Sequence, residues 1–170
     1  MLRSLLFLRI PHPSLTQAML TDLIAASAED ATVILHTPGH ANIWPTLEVS
    51  GVEPTQWASL RLILKQQALP SAMDAAPVAL SHAMQDFERV GPAGEQGDPW
   101  LVALPEELGT LLAQLSEDQF PALARAWLTA EAERRPHWEA EALEFLVADL
   151  AAFSATAVAQ GHRLFLWICP

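Results

Sequence analysis

A single cysteine, Cys169, is the only thiol in 170 residues, which excludes an internal disulfide and any zinc site built from several thiolates. That usage suits a reducing compartment, and a cytoplasmic location is expected. Lysine is almost missing as well: Lys65 stands alone, and Lys plus Arg total 9 against 20 Asp plus Glu, a net charge of −11. Phosphate backbones are recognised through clustered cations, so a nucleic-acid partner is not expected. Charged residues of all kinds make up only 17% of the chain, below the roughly 25% of an average soluble domain. Hydrophobic types reach 51%, but 29 of them are alanines that bury little area each. No uninterrupted run of 18 apolar residues occurs, so no membrane partner is expected. The apolar start at Leu5 to Leu8 is broken by Arg9, Pro11 and Pro13 and lacks a small-residue cleavage site, which argues against a secretory signal.

What is present is a tail with unusual content for a chain end. Gly161-His162-Arg163-Leu164-Phe165-Leu166-Trp167-Ile168-Cys169 enters through a glycine and continues as a branched and aromatic apolar run. Chain ends fray unless they are held, and a run of this kind reads as a strand covered on both faces. A second strand is expected from Ser4 to Ile10, followed by a helix N-capped by Ser14 and carrying Leu15, Met19, Leu23 and Ile24. Thr32 to His36 reads as a strand from its branched residues, and with Ile43 to Val49 it suggests a hairpin around Pro38-Gly39. Gly51 and Pro54 open a helix with Trp57, Leu60, Ile63 and Leu64 on one stripe, closed by Pro70, and a short helix is expected around Val78 to Phe87.

The second half reads as helical throughout. Glu106 and Glu107 follow Pro105 at a helix start, with Leu108, Leu111, Leu112 and Leu115 on the inner face. Ser116-Glu117-Asp118-Gln119 has the spacing of a capping box before the stripe of Phe120, Leu123, Ala124, Trp127 and Leu128. Pro136 begins a long helix bearing Trp138, Leu143, Leu146, Leu150 and Phe153, with Gly161 past its end. The predicted fold is therefore α+β and predominantly helical, with a small sheet that includes the N-terminal and C-terminal strands. One domain over residues 1–170 is expected, with a mobile loop near 90–99.

Chemistry is thin. No Gly-x-Ser-x-Gly elbow appears, and the Gly91, Gly94, Gly97 spacing is accompanied by Glu95 and Asp98, which oppose a phosphate. No catalytic residue and no cofactor is assigned. On a helix from 137, His137, Glu141 and Glu144 fall at i, i+4 and i+7, a spacing from which one face could ligate a metal. His36 and His40 flank Pro38-Gly39 and read as turn residues. Trp100, next to the glycine-rich loop, is the candidate partner or ligand contact. Between Asp86 and Asp149 lie 14 acidic residues and four arginines, so the second half would attract a basic protein. These features predict a small acidic protein that binds a basic or apolar partner or forms a homo-oligomer, with a metal-dependent enzyme or hydrolase using the His/Glu face as the alternative.

The order Pro99-Trp100-Leu101, Leu111-Leu112-Ala113-Gln114-Leu115, Ala124-Arg125-Ala126-Trp127 and the terminal Leu164-Phe165-Leu166-Trp167-Ile168-Cys169 resembles a bacterial protein family with a C-terminal Leu-Phe/Tyr-x-Trp-x-Cys tail and no assigned function. The resemblance spans roughly the second half and implies a shared architecture rather than an activity.

Overall fold

The computed structural model describes residues 20–66, 76–91 and 97–170. Its strands form one antiparallel sheet in the order β2-β1-β5-β4-β3. These are β1 (Leu20–Ala26), β2 (Thr46–Glu48), β3 (Glu88–Val90), β4 (Trp100–Ala103) and β5 (Arg163–Cys169). The helices are α1 (Ala31–Leu35), α2 (Pro54–Leu64), α3 (Ala76–Ala83), α4 (Glu106–Ala113), α5 (Phe120–Glu131) and α6 (Ala140–Ala159). The α+β class and the pairing of an N-terminal with a C-terminal strand agree with the sequence.

The terminal strand occupies the middle of the sheet. β5 pairs with β1 from Cys169 opposite Leu20 to Arg163 opposite Ala26, and with β4 from Ile168 opposite Trp100 to Phe165 opposite Ala103. Side chains alternate between faces along a strand, so Leu164, Leu166 and Ile168 enter the main core while Phe165 and Trp167 face the other side. The main core lies between the sheet and α2, α4, α5 and α6, around Trp57, Leu108, Trp127, Val147 and Leu150. On the opposite face α1 lays Ala31 and Ile34 over Ile24, Ala26, Leu101, Ala103 and Phe165.

Two segments differ from their sequence reading. Leu20–Ala26, expected to be helical, is β1: it lies between two strands and is buried on both faces, so Leu23 and Ile24 point oppositely and the period-2 signal vanishes. Thr32 to His36, expected to be a strand in a hairpin, belongs to α1 and the turn after it. A 3-10 turn over Ala28–Asp30, capped by Ser27 Oγ accepting from the Asp30 backbone N–H, starts the helical path, and burial of Ile34 against the sheet outweighs the strand preference of Val33 and Ile34. The strand at Ser4 to Ile10, the helix start at Ser14, the closing Pro70 and residues 92–96 of the glycine-rich loop lie outside the described residues.

Other local readings agree with the structure. α2 starts at Pro54 as expected, and a capping box not read from the sequence adds to its start, the Gln56 side chain accepting from the Glu53 backbone N–H at 3.0 Å. Ser116 and Gln119 form a second box, and Pro121 sits in the first turn of α5, where its missing donor is harmless. α6 ends in a Schellman motif: Gly161, at φ +70°, donates to Val158 O at 3.0 Å and His162 donates to Ala157 O at 2.9 Å.

Candidate functional site

Alanine-rich α6 gains its inner face from Leu143, Val147, Leu150, Ala151, Ser154 and Ala157, all buried. By length and composition alone it could cross a membrane, with a mean hydropathy of 1.6. Its inner side is instead packed into the main core, and its outer side carries the carboxylates of Glu141, Glu144 and Asp149, all exposed. Among them stands Phe145, 66% exposed, the most exposed large hydrophobic residue among those described. Glu141 and Asp149 lie at i−4 and i+4 from it, so an aromatic ring is flanked one turn to each side by a carboxylate.

Of the predicted metal triplet, Glu141 and Glu144 lie on this outer face but His137 does not belong to the helix. Helix α6 begins at Ala140, not at 137, and His137 lies in the turn before it, where the Trp138 backbone N–H donates to Arg135 O at 3.0 Å. The i, i+4, i+7 relation therefore fails at its first member, because Pro136 opens a turn rather than the helix. Among the described residues no three His, Cys, Asp or Glu side chains are grouped to hold a metal. His137 instead lines a cleft of 240 Å³ with Trp138, Glu139, Ala142, Leu143 and Leu146, beside the first turns of the Phe145 stripe. Trp100 begins β4, half-buried against the main core, with the Arg89 guanidinium carbon 5.5 Å from its ring centroid.

Three polar clusters bind the layers together. Glu131, fully buried at the end of α5, receives Arg134 through Nη2 at 2.6 Å and Nε at 2.9 Å, Ser59 Oγ at 2.6 Å and Gln56 Nε2 at 3.2 Å. Trp127 Nε1 donates into the same cluster, 3.2 Å from both Gln56 O and Ser59 Oγ, while Arg135 pairs with Glu53. The Glu131 carboxylate raises the Arg134 pKa above its already high ordinary value. Such a set of donors fixes the angle between α2 and α5, and it leaves the carboxylate occupied. Arg61, its side chain 10% exposed, donates to Ala83 O, Asp86 and Glu107 and thus joins α2 to α3 and α4. Lys65 and then Arg61 hold the Glu107 carboxyl below its ordinary value.

On the α1 face, His40 Nε2 lies 2.8 Å from Asp22 Oδ2 and the imidazole sits 4.6 Å from the Trp167 ring. His40 is buried, so it is a structural clasp between the segment after α1 and strand β1 rather than a free turn residue. Sequence spacing gave no hint of this pair, whose members are 18 residues apart. Glu131 did leave a signal: it falls four residues after Trp127 on the inward stripe, with an arginine three residues further on.

No model of a protein family and no curated protein matches the sequence. Among solved structures the chain is similar to a protein of unknown function, YfbM, from Escherichia coli, with a TM-score of 0.42 and 10% identity, covering 88% of this chain and 99% of that one.

Proposed function

We propose that this is a small acidic interaction protein that docks a basic partner on the outer face of α6. The observation that carries the reading is Phe145, held out to solvent at 66% exposure between Glu141 and Asp149. Burying an exposed phenyl ring contributes about 1.5–3 kcal/mol of association, and aromatic anchors of this kind dominate interface energetics. The flanking carboxylates, in a chain of net charge −11, select for lysine or arginine opposite and speed encounter with such a surface.

The same charges disfavour a second copy as the occupant. In an antiparallel two-fold pairing centred on Phe145, Glu141 would lie opposite Asp149 of the other copy, placing like charges together at both ends. A partner with cations at those two places meets no such repulsion.

The test is site-specific photo-crosslinking from position 145 in cell extract, with the captured chain identified by mass spectrometry. The expected product is a basic polypeptide whose yield falls with added salt and is abolished by Glu141→Lys with Asp149→Lys. A product that is only a second copy of this chain, or a yield indifferent to both charge reversals, would refute the reading.

A further inference from the structure

A cleft of 530 Å³ opens between α2, α4 and α5, far from the Phe145 stripe in sequence and made of different helices. Its volume falls within the roughly 300–1,000 Å³ of small-molecule sites, unlike the clefts of 230 and 240 Å³ elsewhere among the described residues. The wall is aliphatic. Ile63, Leu64, Leu111 and Leu115 are only half-buried, so they offer apolar surface that the described residues leave partly uncovered, with Leu123 at their back. The rim is polar but carries no cation: the exposed side chains of Gln66, Gln114 and Asp118 stand there. Two basic residues adjoin the lining in sequence, Lys65 beside Gln66 and Arg125 beside Ala126; neither lines the cleft, and Lys65 is engaged by Glu107 at 3.1 Å.

Gln66 adds a second observation. It is the one non-glycine residue at positive φ among those described, at +55°. A glycine would end α2 there without strain, yet the position carries a side-chain amide at the mouth of the cleft.

From the aliphatic wall, the volume and the cation-free rim we infer that this cleft binds a small apolar molecule whose polar end donates hydrogen bonds. The apolar body covers the leucine wall, and the donor faces the Asp118 carboxylate and the Gln66 and Gln114 amide oxygens. An anionic amphiphile meets Asp118 with no cation to offset it. This site is independent of the α6 reading.

The probes are Nile red, an uncharged apolar dye, and its displacement by 1-octanol, octylamine and octanoate. Saturable Nile red binding is expected, with octanol and octylamine displacing it at concentrations at least about tenfold below octanoate. Ala126 and Ala122 are exposed on α5 at the edge of the cleft, so Ala126→Trp fills it without entering the core. That variant should keep its melting temperature and weaken dye binding by about tenfold or more, whereas Phe145→Ser should leave binding unchanged. Should Ala126→Trp misfold, Ala122→Trp replaces it. Absence of saturable dye binding, wild-type binding in the filled variants, or octanoate as the strongest competitor would each overturn the proposal.

Discussion

Replacing Glu131 with alanine should cost about 3 kcal/mol of stability. The carboxylate is fully buried and holds Arg134, Ser59 and Gln56 at once, and removing one partner of a buried ion pair typically costs about 3–5 kcal/mol. The lower end applies because Arg134, its side chain 38% exposed, can turn to water, whereas Ser59 is enclosed and Gln56 is nearly so. Set against a total stability of about 5–15 kcal/mol for a domain, this is a large fraction, equivalent to a fall in Tm of roughly 6–12 °C. Urea denaturation followed by tryptophan fluorescence is the assay, since Trp127 donates into the cluster and packs edge-on against Trp138 at 5.2 Å. A companion variant sharpens it: Glu131→Gln keeps a side-chain oxygen that can still accept from Ser59 or Gln56, so part of the loss should be recovered. If Glu131→Ala stays within about 1 kcal/mol of wild type, the cluster does not join α2 to α5 as argued.

Other perturbations test the remaining parts of the fold. Deleting residues 164–170 removes four buried apolar side chains, Leu164, Phe165, Leu166 and Ile168, worth about 6–12 kcal/mol together, so loss of cooperative melting by calorimetry is expected; Leu166→Ala alone should cost about 2–5 kcal/mol. Gly161→Ala meets no atom within 4 Å but must hold φ +70°, and a loss of about 1 kcal/mol in denaturant titration would isolate that backbone cost. Because Lys65 and Arg61 depress the Glu107 pKa below 4.5, its contribution is present above that ordinary value and is lost as pH falls through the folded value. Acid unfolding of wild type and Glu107→Gln should therefore converge at low pH, with wild type the more stable near neutrality; a constant gap down to the lowest pH would contradict it.

The legible elements are those whose burial pattern matches their own period. Trp57 and Leu60 in α2, and Leu123 and Trp127 in α5, repeat at helical spacing because each helix buries one side only. The tail is legible for the opposite reason: it is apolar on both faces, and a strand in the centre of a sheet needs to be. That same condition hides β1 and β4. Leu-Thr-Asp-Leu-Ile-Ala-Ala and Trp-Leu-Val-Ala are buried on both faces but contain alanine or a polar residue, so composition favours neither helix nor strand. α1 is hidden because five residues are too few for a period, and the helical path is set by the Ser27 cap and the sheet beneath.

The outer face of α6 follows a similar logic. Glu141 and Glu144 are legible as one solvated face because α6 is long, but adding His137 requires the helix to start three residues earlier than it does. What periodicity could reveal is the exception on that face: Phe145 is aromatic where its i−4 and i+4 neighbours are acids. A core-facing phenylalanine would instead align with Leu143, Val147 and Leu150, the buried residues of the same helix. Phe145 does not join that row, and among the described residues it stays 66% exposed. The spacing that excludes it from the core is also what places a carboxylate on each side of it, so exposure and charge arise from one helical register. With the photo-crosslinker moved to the exposed position 152, two turns further along the same face, Phe145→Ala should therefore abolish the salt-sensitive product while leaving the net charge unchanged.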